Sequence, residues 1–243
     1  MSISINNAPA CPLPNGRRRT GQSRKAAAFA TVMLVGLGVG LGVGAGIGSG
    51  PAAAAPAATL ATNEVRSATT AIEAARRLAR TKRVFVVGDS ITVGSRPLIR
   101  NSLRGQVARV SVDAAISRFT PTGIRLLGTR PAQRAAVWVV ALGTNDSPDA
   151  RRMRSFVGEV LKRARGRKVV WVNIVRPGGY DRVNRELANL DRRYRNLTVV
   201  DWQAAIRRNR GWLSGDGVHP TTAGYRAHGR MIAAAARQLA RQP

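Results

Sequence analysis

From about residue 64 onward, short runs rich in β-branched residues alternate with longer stretches of helical spacing, and this alternation narrows the choice of fold more than any other feature. Runs at residues 84–87, 107–112, 137–142, 168–175 and 197–200 predict five strands. Several are apolar without a break, as expected where helices cover both faces, so the pattern implies a doubly wound parallel sheet and an α/β fold. Between the strands, Met153, Phe156, Val157, Val160 and Leu161 fall on one helical stripe, and Val183, Leu187, Leu190 and Tyr194 on another. Both stripes read as core. A last helix is expected to start near Thr221, after Pro220, and to bury Ile232, Ala236 and Leu239 against the sheet.

At 243 residues the chain has room for one well-buried domain and an N-terminal extension. In that extension Arg17, Arg18, Arg19, Arg24 and Lys25 precede an apolar run over 26–47 and a small-residue segment over 51–58. Charged, apolar, then cleavable is the order of a secretory signal, with Ala55-Pro56-Ala57 or Ala52-Ala53-Ala54 as the cleavage site. An uncleaved membrane anchor is the competing reading, because the run approaches the roughly 20 residues of a bilayer span. Gly36, Gly38, Gly40, Gly42 and Gly44 weaken it as a helix. The expected layout is a signal or anchor over 1–57, a linker and first helix over 58–81, and the folded domain over 82–243, secreted or held at the cell envelope. Cys11 is the single cysteine and would leave with the signal, so a mature chain has no disulfide framework and no thiolate chemistry.

The formal charge is +28; five of the forty basic residues and none of the twelve acidic ones precede residue 60, which leaves +23 beyond it. A field of that size would hold the protein near anionic polymers such as cell-wall phosphates, acidic glycans or nucleic acid. The alternative is arginine scattered over solvated helix faces. Aromatic residues make up only 5% and do not interleave with the basic ones, which argues against a dedicated reader of nucleic-acid bases.

In an open parallel sheet, ligands bind beyond the carboxyl ends of the strands. The first predicted strand ends in Gly88-Asp89-Ser90, the third in Gly143-Thr144-Asn145-Asp146, and the loop before the last helix carries Asp216-Gly217-Val218-His219-Pro220. A serine opening a helix exposes its hydroxyl and offers its own N–H to an oxyanion. A histidine three residues after an aspartate can accept the serine proton while the carboxylate orients its ring.

These three segments resemble the motif blocks of the SGNH hydrolases, a branch of the GDSL esterases and lipases, over roughly residues 83–239. The resemblance implies a flavodoxin-like three-layer α/β/α domain with a five-stranded parallel sheet. It also implies Ser90 as nucleophile, His219 as general base, Asp216 as its partner, and Asn145 as an oxyanion donor beside the Ser90 N–H. The Gly-x-Ser-x-Gly elbow of the larger α/β-hydrolases is absent around Ser90. The chain departs from the family where the second backbone donor is usually a glycine: Asp113-Ala114-Ala115-Ile116-Ser117-Arg118 places Ser117 there, with Gly123 as the fallback. A closer likeness is to extracytoplasmic SGNH domains that O-acetylate cell-wall glycans, through Asp113 with Arg118, Val183-Asn184, Asp201-Trp202 and Trp212.

The expected activity is therefore that of a serine esterase acting on short-chain or O-acetyl esters of glycans, with O-acetyl transfer as one alternative and a non-catalytic basic protein binding anionic wall polymers as another. Arg118 reads either as a carboxylate or phosphate binder at the site mouth or as a solvated surface residue, and Trp212 as a liner of the acyl pocket. Asp89 is expected to order the nucleophile turn, Asp146 to cap the following helix or brace the Asn145 loop, and His228 and Trp171 to pack. No cofactor is expected, and no metal, because two histidines nine positions apart without a carboxylate cluster do not make a metal site. The expected partners are an ester substrate and an anionic wall polymer, with no specific nucleic acid, membrane contact only through an uncleaved N-terminal segment, and a monomeric state.

Overall fold

A computed structural model of the protein describes residues 55–243, with side chains from residue 63 on. The segment read as signal or anchor, with Cys11, lies outside the described residues except for its last three positions. Those three open α1, Ala55–Thr81, a single helix that also covers the stretch read as a linker. The alanine-rich sequence accounts for this, since alanine has the highest helix propensity. Val65 and Ile72 on α1 are exposed. Among the described residues no helix is long and apolar enough to cross a membrane.

β1 (Arg83–Gly88) leads into α2 (Ser90–Leu103), and β2 (Arg109–Ala114) into the short helices α3 (Thr120–Arg125) and α4 (Arg130–Gln133). β3 (Val137–Ala141) is followed by α5 (Ala150–Ala164), and β4 (Lys168–Val172) by α6 (Tyr180–Arg193). β5 (Leu197–Val200) precedes α7 (Trp202–Arg208), and α8 (Thr222–Ala240) closes the chain. All strand pairs are parallel, in the order β2-β1-β3-β4-β5, the flavodoxin-like order.

Alternate residues of each central strand enter opposite cores. Val84, Val86, Val137, Val139, Val170 and Val172 meet Ile99 and Leu103 of α2 and Ile232, Ala236 and Leu239 of α8. Phe85, Val87, Trp138, Val140 and Trp171 meet Ile124 of α3 and the predicted stripes of α5 and α6. Both faces of the sheet are thus covered, which is why the strands read as unbroken apolar runs.

Two strands, β2 and β4, depart from the expected bounds by more than one residue, for local reasons. Val107 N–H bonds back to Leu103 O, so pairing of β2 begins only at Arg109, opposite Arg83. β4 stops at Val172 because the Asn184 side chain takes both backbone groups of Ile174, at 2.9 and 2.7 Å. α8 begins where expected, with the Thr221 hydroxyl accepting from Gly224 N–H.

Candidate active site

The sheet order reverses between β1 and β3, and the crevice beyond their carboxyl ends collects the residues singled out by the sequence. Ser90 is the first residue of α2, so its N–H has no partner inside the helix. Asp89 caps that helix: Oδ1 accepts Ile91 N–H at 3.0 Å. Its Oδ2 is buried with no partner at hydrogen-bonding distance. Burial raises the Asp89 carboxyl to about 6, outweighing the Ile91 amide and the nearby Thr144 hydroxyl, which favour the charged form.

The loop before α8 brings its imidazole to this serine. Ser90 Oγ lies 3.1 Å from His219 Nε2, and His219 Nδ1 lies 2.6 Å from Asp216 Oδ2. The other Asp216 oxygen accepts the N–H groups of Val218 and His219, both at 2.9 Å. Those amides, Val218 first, together with the His219 ring, hold the Asp216 carboxyl well below the usual carboxylate range. An ionised Asp216 favours the tautomer with the proton on Nδ1, leaving Nε2 free to accept from the serine hydroxyl. Ser214 Oγ sits 2.5 Å from His219 O and 2.9 Å from Asp216 Oδ1, and Leu213 bridges to Pro220, so the loop is closed on itself. Gly217 takes a left-handed φ of 69° inside it. The site is open: the His219 and Asp216 side chains keep 45% and 49% of their surface.

The turn after β2 approaches from the other side. Ser117 has φ 56°, the left-handed region that favours glycine, which fits its alignment with the family's glycine and shows that the turn accommodates a Cβ. Gly123, the fallback donor, lies inside α3, and its N–H is given to Phe119 O. It cannot serve an oxyanion as well. Asn145 Nδ2 donates to Arg118 O at 3.2 Å, which ties the loop after β3 to this turn and leaves its second amide proton free. Asp146 accepts Thr120 N–H and the Thr120 hydroxyl, and its carbonyl accepts the Tyr180 hydroxyl. It therefore braces the loop and the start of α3, while the following helix α5 is capped by Asp149.

Arg118 and Trp212, the two residues expected to contact substrate, also make contacts within the protein. The Arg118 guanidinium, with only 10% of its side chain exposed, pairs with Asp113 Oδ1 at 2.7 Å and donates to the carbonyls of Asp113 and Gly88. It ties the ends of β1 and β2 together. Trp212 stacks on Trp202 with ring centroids 6.3 Å apart and packs against the core, anchoring the loop that carries Asp216 and His219. His228 is fully buried, bonded to Ser95 Oγ at 2.8 Å and edge-on to Trp202, and burial lowers it to about 4. Trp171 is core.

The residues that hold the loops carry no signal in the sequence. Ser214 and Thr120 act through hydroxyls with no motif around them, and Arg176 NH1 donates to Thr144 O at 2.6 Å from a loop far along the chain. Their signal lies in contacts across the fold, not in spacing.

A family model described as GDSL-like lipase/acylhydrolase matches residues 86–227. The peptidoglycan O-acetyltransferase OatA of Listeria monocytogenes is 26% identical over 153 residues, 60% of this chain, and the chain spans 22% of that protein's length. Among solved structures, the C-terminal catalytic domain of Streptococcus pneumoniae OatA, bearing a methylsulfonyl adduct, aligns with a TM-score of 0.54 at 20% identity, covering 66% of this chain and 94% of that one. A family 3 carbohydrate esterase from Talaromyces cellulolyticus aligns at 0.56 and 20%, covering 66% and 98%. At these identities the structures show the shared fold.

Proposed function

The chain belongs to the GDSL-like lipase/acylhydrolase family, and from that premise we propose that it is an extracytoplasmic esterase that removes O-acetyl groups, or similarly short acyl groups, from glycans. The observation that carries this reading is the Ser90–His219–Asp216 hydrogen-bonded chain beyond the sheet. Ser90 Oγ attacks the ester carbonyl while His219 Nε2 takes its proton. The oxyanion rests on the N–H groups of Ser90 and Ser117 and on the free amide proton of Asn145. As the intermediate collapses, His219 returns the proton to the departing sugar oxygen and the acyl group stays on Ser90. Water then attacks the acyl-enzyme, with His219 again taking and returning a proton.

The openness of the site leaves room for a bulky alcohol portion. Ile116 and Phe119, 75% and 54% exposed, lie on the same turn as Ser117 and offer apolar surface to a substrate there. Transfer to a second sugar hydroxyl is the other reading, favoured by the likeness to an O-acetyltransferase.

Aryl esters of increasing chain length, assayed with and without an acetylated glycan and a sugar acceptor, test the proposal. Acetyl turnover exceeding that of longer chains, with free acetate as the product, is expected. Acetylated acceptor as the main product would assign transfer, and a preference for long chains would refute the glycan reading.

A further inference from the structure

β2 is an edge strand, and along its outer side run two adjoining cavities of about 320 and 460 Å³ that share Arg109, Ser111 and Pro131. Arg83 of β1, Arg130 of α4 with Arg134 just after it, and Arg96 and Arg100 of α2 complete a lining of six arginines with Arg109. The one carboxylate in the lining, Asp113, is already paired with Arg118. Among the described residues, Arg83, Arg100, Arg109, Arg130 and Arg134 form no ion pair. Charged residues on an edge strand discourage pairing with other chains, but that task needs only the strand's own side chains. Here cations from four elements converge, at a cost in mutual repulsion that a ligand of opposite charge would relieve.

We propose that this groove binds a flexible, linear phosphodiester polymer of the polyol-phosphate kind. Guanidinium forks match phosphate oxygens two at a time. The six-residue strand gives the groove a length of roughly 20 Å, enough for several consecutive phosphates. Its single aromatic, Phe85, is buried, so no exposed ring is there to stack a base, as proteins that grip single-stranded nucleic acid use. The groove runs from the amino ends of β1 and β2, where Arg83 faces Arg109, to Ala114 at the carboxyl end, whose carbonyl is held by Arg96 at 2.7 Å. A polymer lying there would retain the enzyme on an anionic surface, with the Ser117 turn at its far end. The binding site is separate from the acyl-transfer residues and does not depend on their assignment.

The test is binding of fluorescently labelled poly(glycerol phosphate) to the full chain at low and at physiological salt. The variant Arg83→Gln/Arg109→Gln/Arg130→Gln/Arg134→Gln removes the end of the groove remote from Ser90. A second, Arg151→Gln/Arg182→Gln/Arg192→Gln/Arg230→Gln, removes as many exposed charges elsewhere. The groove variant is expected to bind about 10-fold more weakly or worse, with a shallower salt dependence. It should keep the parent's melting temperature and aryl acetate turnover. The second variant and Ser90→Ala should bind as the parent does, so loss of catalysis and loss of binding are read separately. Equal weakening of both arginine variants would overturn the site, and tighter binding of single-stranded DNA or polygalacturonate than of poly(glycerol phosphate) would overturn the choice of ligand.

Discussion

Asp89 and His228 are buried titratable groups of opposite character. Asp89 stays protonated up to about 6 against an ordinary 3.8, and His228 stays neutral down to about 4 against an ordinary 6.5. Below pH 3.8 Asp89 is neutral in both folded and unfolded chains and costs nothing. As pH rises to about 6 only the unfolded chain ionises, and stability falls. His228 acts the other way over the same window: the unfolded chain is protonated, the folded one is not, and stability rises with pH. The two nearly cancel in the parent. Asp89→Asn keeps an oxygen for the Ile91 amide and leaves His228 unopposed, so variant and parent should diverge by about 3 kcal/mol in favour of the variant between pH 4 and 6.5. Urea unfolding at the two pH values measures this; parallel curves would mean that Asp89 ionises normally in the folded chain.

At the scale of elements, the packing of α8 brings the imidazole to the hydroxyl. The contact is close because glycines lie where other side chains would clash. A Cβ on Gly224 would sit 2.0 Å from Trp212 O, and one on Gly94 would sit 2.3 Å from the Tyr225 ring. Gly224→Ala should therefore push the start of α8 from the Trp212 segment and carry His219 with it. The expected cost is about 1–3 kcal/mol of stability, the range seen for overpacked cores, together with a lower kcat. A variant with parental melting and kcat would show that the loop position does not depend on this contact. The elements themselves were legible in the sequence, since unbroken valine-rich runs and 3.6-residue stripes answer directly to a sheet covered on both faces. Gly-Asp-Ser and Asp-x-x-His were legible too, because their parts are neighbours in the chain. Asp113 with Arg118 was legible as a pattern for the same reason, but the bond from Arg118 to the Gly88 carbonyl and the stacking of Trp212 on Trp202 were not, because they form only once β1 lies beside β2 and the last loop folds onto α7.

For the molecule as a whole, the arrangement separates two tasks, with acyl chemistry at the carboxyl end of the sheet and arginine along its β2 edge. The large positive charge is thus partly concentrated on one edge, which composition alone could not distinguish from an even spread over helix faces. At the heart of the first task, Ser90 is a nucleophile activated by His219. A fluorophosphonate tests it most directly, because only an activated serine is phosphonylated, and intact-mass and peptide mass spectrometry report where. One adduct per chain on the peptide containing Ser90, absent from Ser90→Ala and much slower to form in His219→Ala, is the predicted result. A folded protein that takes up no adduct, or takes it up at another residue, would mean that Ser90 is not the nucleophile.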